Sequence, residues 1–94
     1  MAHAKASEVP AFAFPPRCAH TAPETRERCG AEATHWLVSD DGLAITWRCW
    51  EHASAVLEEY HRVGAASPAD PLLAPLARWS LTPVRVQEIH EVGA

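Results

Sequence analysis

Two periods of apolar residues, one after the other, organise the middle of this chain. Between residues 34 and 49 apolar and polar positions alternate as Thr34-His35-Trp36-Leu37-Val38-Ser39, then Asp40-Asp41-Gly42-Leu43, then Ala44-Ile45-Thr46-Trp47-Arg48-Cys49. Alternation on both sides of an Asp-Gly pair predicts a β-hairpin with a two-residue type I′ turn at Asp41-Gly42, where both central residues need positive φ. With Asp40 opposite Leu43, Val38 pairs with Ile45 and Trp36 with Trp47 on an apolar face, and Leu37 with Thr46 and His35 with Arg48 on the other. Cys49 has the parity of Ile45 and Trp47, which aims its sulfur at the buried side. From Ala53 the spacing turns helical: Ala53, Val56, Leu57, Tyr60 and Val63 share one face, while Glu58, Glu59 and Arg62 share the other. Glu58 and Arg62 suit an i,i+4 pair. Gly64 is placed as the C′ residue that ends this helix, and Pro68 blocks its continuation.

Farther on, Asp70-Pro71 reads as an N-cap followed by proline at N1, opening one or two irregular helical turns through Leu72, Leu73, Leu76 and Trp79, with Pro75 removing a hydrogen bond. Val84 to Gln87 alternate as a strand does, but Ile89 breaks the parity. Over residues 82–92 both a bulged strand and a Thr82-capped helix fit the pattern. Met1 to Pro16 is Ala- and Pro-rich without period and reads as a disordered N-terminal tail. The expected organisation is a single small α+β domain over residues 17–94: a hairpin-plus-helix core at 18–64 and a C-terminal extension, one helical turn and a strand, at 65–94.

Size and cysteine usage change the picture. A folded part near eighty of the 94 residues makes a marginal core, and domains of this size commonly depend on a metal, disulfides or a partner. Three cysteines cannot all pair within one chain, and no continuous apolar run follows Lys5, so the reading is a reduced, cytoplasmic protein without a membrane span. The net charge of −4 argues against a general nucleic-acid or anionic-membrane binder. Seven of the eight cationic residues are Arg; with the high Ala and Pro content this suggests a GC-rich bacterial genome.

Cys18, Cys29, Cys49 and His52 together form a complete donor set for a borderline-soft tetrahedral ion, and zinc takes thiolate sulfur and imidazole nitrogen in this way. Cys49 and His52 stand as Cys-x2-His at the helix entry. An Arg precedes each cysteine, in keeping with cations that lower thiol pKa and offset the formal −1 charge of a Cys3His zinc centre, although alternation leaves Arg48 free to face solvent. Gly30, after Cys29, would let backbone amides approach the thiolate. His20 is the rival fourth ligand, ranked below His52 because Cys-x-His makes a tight chelate. His35 is expected as a surface partner of Arg48, and His3, His61 and His90 as solvated.

Two cysteines, a hairpin, then Cys-x2-His entering a helix: this order resembles the treble-clef family of zinc fingers over residues 18–64. The resemblance implies that Cys18 and Cys29 are knuckle ligands and that Cys49 and His52 supply the hairpin–helix pair. Ten residues separate the first two, so an enlarged knuckle loop is required. The arrangement is also similar to small zinc proteins of high-GC bacteria that share Cys…Cys-Gly-x-x-Ala…Cys-x-x-His, matched here by Cys29-Gly30-Ala31-Glu32-Ala33.

Four good ligands leave no open position for a reacting water, and the chain has no His-Glu-x-x-His motif, phosphate loop or nucleophile elbow, so no enzymatic role is expected. A nucleic-acid-binding zinc finger is the alternative, because four Trp could stack on bases. Charge opposes it: from Arg17 to His52, four Arg face six acidic residues. The preferred expectation is a structural zinc domain acting as a protein-interaction module, binding an unknown protein partner or itself through Trp79, Leu81 and the C-terminal strand.

Overall fold

The structure, a computed structural model, describes residues 4–87. Strand β1 (His35–Val38) and strand β2 (Ala44–Arg48) form the hairpin, helix α1 (Trp50–Ala66) follows, a short 3-10 helix spans Ala74–Arg78, and strand β3 (Ser80–Pro83) returns to the sheet. The sheet is antiparallel in the order β2-β1-β3, which makes the protein small α+β. Among the described residues no helix is long and apolar enough to cross a membrane.

The hairpin keeps the expected pairs His35–Arg48, Trp36–Trp47 and Leu37–Thr46, but Val38 pairs with Ala44, not Ile45, across a bulge. The turn explains the shift. Gly42 has φ of 85°, whereas Asp41 is not in the positive-φ region, so a type I′ turn does not form. The Ser39 amide instead donates to the Leu43 carbonyl at 2.9 Å, and the Gly42 amide to the Ser39 carbonyl at 3.0 Å. This is a type I turn closed by a left-handed glycine, the three-residue hairpin loop that leaves one extra residue on the second strand. Asp41 stays out of the left-handed region, and the Ser39 hydroxyl holds it there by donating to its carboxylate.

The expected C-terminal strand lies earlier, at Ser80–Pro83. Because the Val84 amide bonds the Thr34 carbonyl at 2.9 Å, Pro83 falls at a non-hydrogen-bonded position opposite His35. Its missing N–H therefore points away from β1, as an edge strand requires, and blunts that edge against further pairing. Residues 88–94, with Ile89 and the rest of the strand-or-helix alternative, lie outside the described residues.

Residues 4–16, expected as a disordered tail, run along the sheet. Lys5 bridges to Leu43 and Phe12 to Val86. The Ala44 amide donates to the Ala4 carbonyl at 2.9 Å, the Phe12 amide to the Arg85 carbonyl at 2.8 Å and the Gln87 amide to the Phe12 carbonyl at 2.7 Å. Phe12 stacks on Trp36 with centroids 5.8 Å apart and meets Trp47 edge-on at 5.5 Å, while Trp36 and Trp47 are edge-on at 5.2 Å. Two indoles on one sheet face need a cover, and a single aromatic supplies it without any periodicity in the covering segment. The arm leaves a cleft of about 210 Å³ floored by Trp36 and rimmed by Val9, Pro10, Pro83 and Arg85.

Helix α1 starts three residues before its apolar period does, with Cys49 as N-cap and the Ala53 amide bonded to the Cys49 carbonyl at 2.8 Å. It runs past Gly64 to Ala66, where Pro68 restricts Ser67 and stops it. Gly64 is thus not a helix terminator. A Cβ there would sit 2.3 Å from the Ala77 backbone nitrogen and 2.9 Å from the Ala77 Cβ, so the glycine is a notch that lets the 3-10 helix lie on α1. Nearby, Tyr60 and Trp79 pack edge-on at 5.1 Å, and His61 Nε2 donates to the Trp79 carbonyl at 2.7 Å. Asp70 caps the next turn as expected, accepting from the Leu72 amide at 2.8 Å, but Leu72 is 84% exposed and anchors nothing. Arg62 pairs with Glu59, not Glu58.

Candidate metal centre

The ten residues between Cys18 and Cys29 are a hairpin of their own. The Cys18 amide donates to the Ala31 carbonyl at 2.8 Å, the Cys29 amide to the His20 carbonyl at 2.9 Å, and the Ala22 amide to the Glu27 carbonyl at 3.0 Å. Bridges join Arg17 to Glu32 and Thr21 to Arg28, and the tip turns through Arg26, at φ of 61°. The enlarged loop therefore costs the site nothing in proximity, because strand pairing returns Cys29 to the level of Cys18. Trp47 ties this ladder to the main sheet: its carbonyl accepts from the Ala19 amide at 3.1 Å, and its indole Nε1 donates to the Arg17 carbonyl at 2.8 Å.

The first turn of α1 completes the cluster. Cys49 at the N-cap and His52 at the third helical position project to the same side, where the knuckle sulfurs arrive. The donor atoms of Cys18, Cys29, Cys49 and His52 all lie within 4.8 Å of one another. His52 Nδ1 is 3.5 Å from Cys18 Sγ and 3.3 Å from Cys49 Sγ, and the Cys29 and Cys49 sulfurs are 4.0 Å apart. Bond lengths of ~2.3 Å to sulfur and ~2.0 Å to nitrogen place tetrahedral ligands about 3.8 Å apart for two sulfurs and about 3.5 Å for sulfur and nitrogen. The three distances of 3.5, 3.3 and 4.0 Å lie close to those edges. A disulfide needs sulfurs at about 2.05 Å, and all three cysteines are free. Three cysteines and a histidine placed this closely could bind a metal ion.

Burial and charge suit that use. Cys18 is fully buried and Cys49 is 8% exposed, while Cys29 and His52 are half-buried. Burial pushes the Cys18 thiol up, but the Cys49 and His20 amides and then the His52 and Cys49 side chains outweigh it and bring it down to about 7. Cys49 moves the other way. Burial raises its thiol, the His52 amide opposes this, and the neighbouring Cys18 and Cys29 sulfurs add to the rise. Crowded thiols that cannot all ionise together are relieved by a cation at their centre.

His20 is not one of the four. Its ring stacks on His52 with centroids 3.9 Å apart, and its Nδ1 accepts from Arg48 Nη1 at 3.3 Å. Since a guanidinium can only donate, the His20 proton resides on Nε2. Burial, then the charges of His52 and Arg48, lower its pKa. Arg48 turns inward, not to solvent, and its Nε is buried with no acceptor among the described residues. Arg17 and Arg28 are exposed, so of the three arginines that precede cysteines only Arg48 stands against the site. Gly30 has no neighbour within 4 Å of a Cβ position; the amides that favour the Cys18 thiolate belong to Cys49 and His20. His35 pairs with Arg48 in register and packs beside Trp50 at 5.2 Å.

Parity misplaced the site. His35 and Arg48, on the face opposite Trp36 and Trp47, are the residues that reach α1 and His20, while the paired indoles face the N-terminal arm. Cys49 joins the cluster because it leaves the strand as a helix cap, where alternation no longer governs. The roles of His20 beside His52 and of Phe12 over the indoles were missed; only Cys18-Ala19-His20 hinted at the first. Compared with known proteins, the chain matches no family model, no curated protein and no solved structure.

Proposed function

We propose that Cys18, Cys29, Cys49 and His52 hold one zinc ion, that the ion is structural, and that the domain it staples is a small interaction module of a reducing compartment. The observation that carries the zinc reading is the convergence of three thiols and an imidazole nitrogen within 4.8 Å, from a hairpin and a helix entry far apart in sequence. A soft, closed donor set of this kind favours zinc over the hard cations that prefer oxygen. The treble-clef resemblance is part of the same proposal: a knuckle supplies two ligands and the first turn of a helix two more.

Closed coordination leaves catalysis without a vacant position, so the proposed role is non-enzymatic. An interaction role draws support from apolar side chains displayed on several elements, Phe14 on the arm, Trp50 beside the metal centre and Leu72 after α1. Affinity capture from the native cell, with full-length and Ser80–Ala94-deleted chains compared, tests it. A protein partner or a second copy of the chain, lost on truncation, is expected; recovery of nucleic acid would contradict the reading.

A further inference from the structure

The three sulfurs of the cluster differ in access. Cys18 is sealed under the knuckle at 0% exposure, and Cys49 is nearly so beneath the helix cap. Cys29 is half-buried, on the outer strand of the knuckle, followed by an exposed glycine whose Cβ position is open space. Its sulfur lies 4.0 Å from Cys49 Sγ. Oxidants reach thiolates in order of access and thiolate character, so the least buried of the three cysteines has a second sulfur beside it.

We propose that Cys29 is a modification site for hydroperoxides, and that Cys49 resolves the product to a disulfide that expels the metal. This rests on the metal reading above. In the first step the Cys29 thiolate attacks one peroxide oxygen and the O–O bond breaks. Cys29 becomes a sulfenic acid, and the departing hydroxide takes a proton to leave as water. In the second, the Cys49 thiolate attacks the Cys29 sulfur, the S–O bond breaks, and that hydroxide also leaves as water after protonation. Two thiolates have lost two electrons, and one hydroperoxide has been reduced. The sulfurs close from 4.0 Å to about 2.05 Å, a movement of the knuckle strand against the helix cap. Cys18 and His52 alone cannot fill a tetrahedral shell, and zinc departs.

The test treats the zinc-loaded full chain with one equivalent of hydrogen peroxide, with and without dimedone to trap sulfenic acid. Peptide mass mapping locates adducts, and a chromogenic chelator follows zinc. Adducts on Cys29 should exceed those on Cys18 or Cys49 by about tenfold or more. Without dimedone, a Cys29–Cys49 disulfide should form at the rate of zinc release. Cys29→His keeps a ligand nitrogen but removes the sulfur, and should slow release by about tenfold or more. First adducts on Cys18 or Cys49, or release from Cys29→His at the wild-type rate, would overturn the proposal. Zinc content measured before peroxide separates the two claims. A folded chain without metal contradicts the metal reading, while its dimedone map still decides whether Cys29 is attacked first.

Discussion

The two ends of this small domain are held by different physics. Over the Trp36–Trp47 face, Phe12 and two indoles interlock at 5.2 to 5.8 Å, an apolar packing of large side chains in the usual sense. The ligand-bearing segments, residues 17–33 and 49–53, bury only Cys18, Ala33, Cys49 and Ala53, and among the described residues the largest side chain fully withdrawn from water is Cys18. Small residues of that kind bury too little apolar area to offset the ordering of a sixteen-residue knuckle. We propose that what this end lacks in volume four converging ligands replace, because metal binding to an otherwise unformed site is folding free energy. Removing a ligand should therefore collapse one end, and removing an aromatic should loosen only the other.

Cys49→Ser should have the largest effect, since apparent zinc binding in small domains is worth about 10–16 kcal/mol. Loss of metal by elemental analysis and loss of the helical circular-dichroism signal are the expected results. Gly64→Ala should come next, destabilising by about 3 kcal/mol, the upper end for overpacking, because its Cβ would meet backbone atoms of Ala77. Denaturant midpoints measure it, and zinc content should stay at one per chain. Phe12→Ala removes two aromatic contacts worth about 0.5–1.5 kcal/mol each. It should lower the midpoint and shift Trp36 and Trp47 fluorescence without reducing zinc. If Phe12→Ala released the metal, the two ends would not be separable.

Acid should act most strongly on the metal end. The Cys18 thiol titrates at about 7, below its ordinary value of 9.0, so its contribution to stability is complete above 9.0 and is lost as pH falls through about 7. In the metal-free chain the raised Cys49 thiol opposes this, contributing below its ordinary value and losing that contribution as pH rises. Under the zinc proposal both are held as thiolates, which abolishes the opposition. Midpoints of the loaded chain should thus fall with decreasing pH. His20→Ala should be the mildest change, below about 1 kcal/mol for one half-buried stacked contact, with zinc retained, whereas His52→Ala should weaken metal binding.

Much of this was legible because local chemistry and tertiary fold agree. Asp-Gly and the alternating residues around it located the hairpin and three of its pairs, and Cys-x2-His located the helix entry and two donors. What was not legible depends on partners distant in sequence. Gly64 looks the same as a helix terminator or as a notch until Ala77 is known to lie against it. Phe12 carries no periodic neighbours, so its place over the indoles follows only once the sheet has a face to cover. The bulge at Ile45 turned on a single residue, Asp41, declining a positive φ. His20 was weighed only as a ligand, since sequence cannot distinguish a ring that binds a metal from one that stacks on the ring that does.

Native mass spectrometry of freshly purified, reduced protein, repeated after exposure to a strong chelator with circular dichroism alongside, tests the central claim most directly. One zinc per chain, with loss of the 18–64 fold when it is removed, is the predicted result. A metal-free chain that keeps its helix and sheet would show that the four side chains meet without a ligand to hold, and would contradict it.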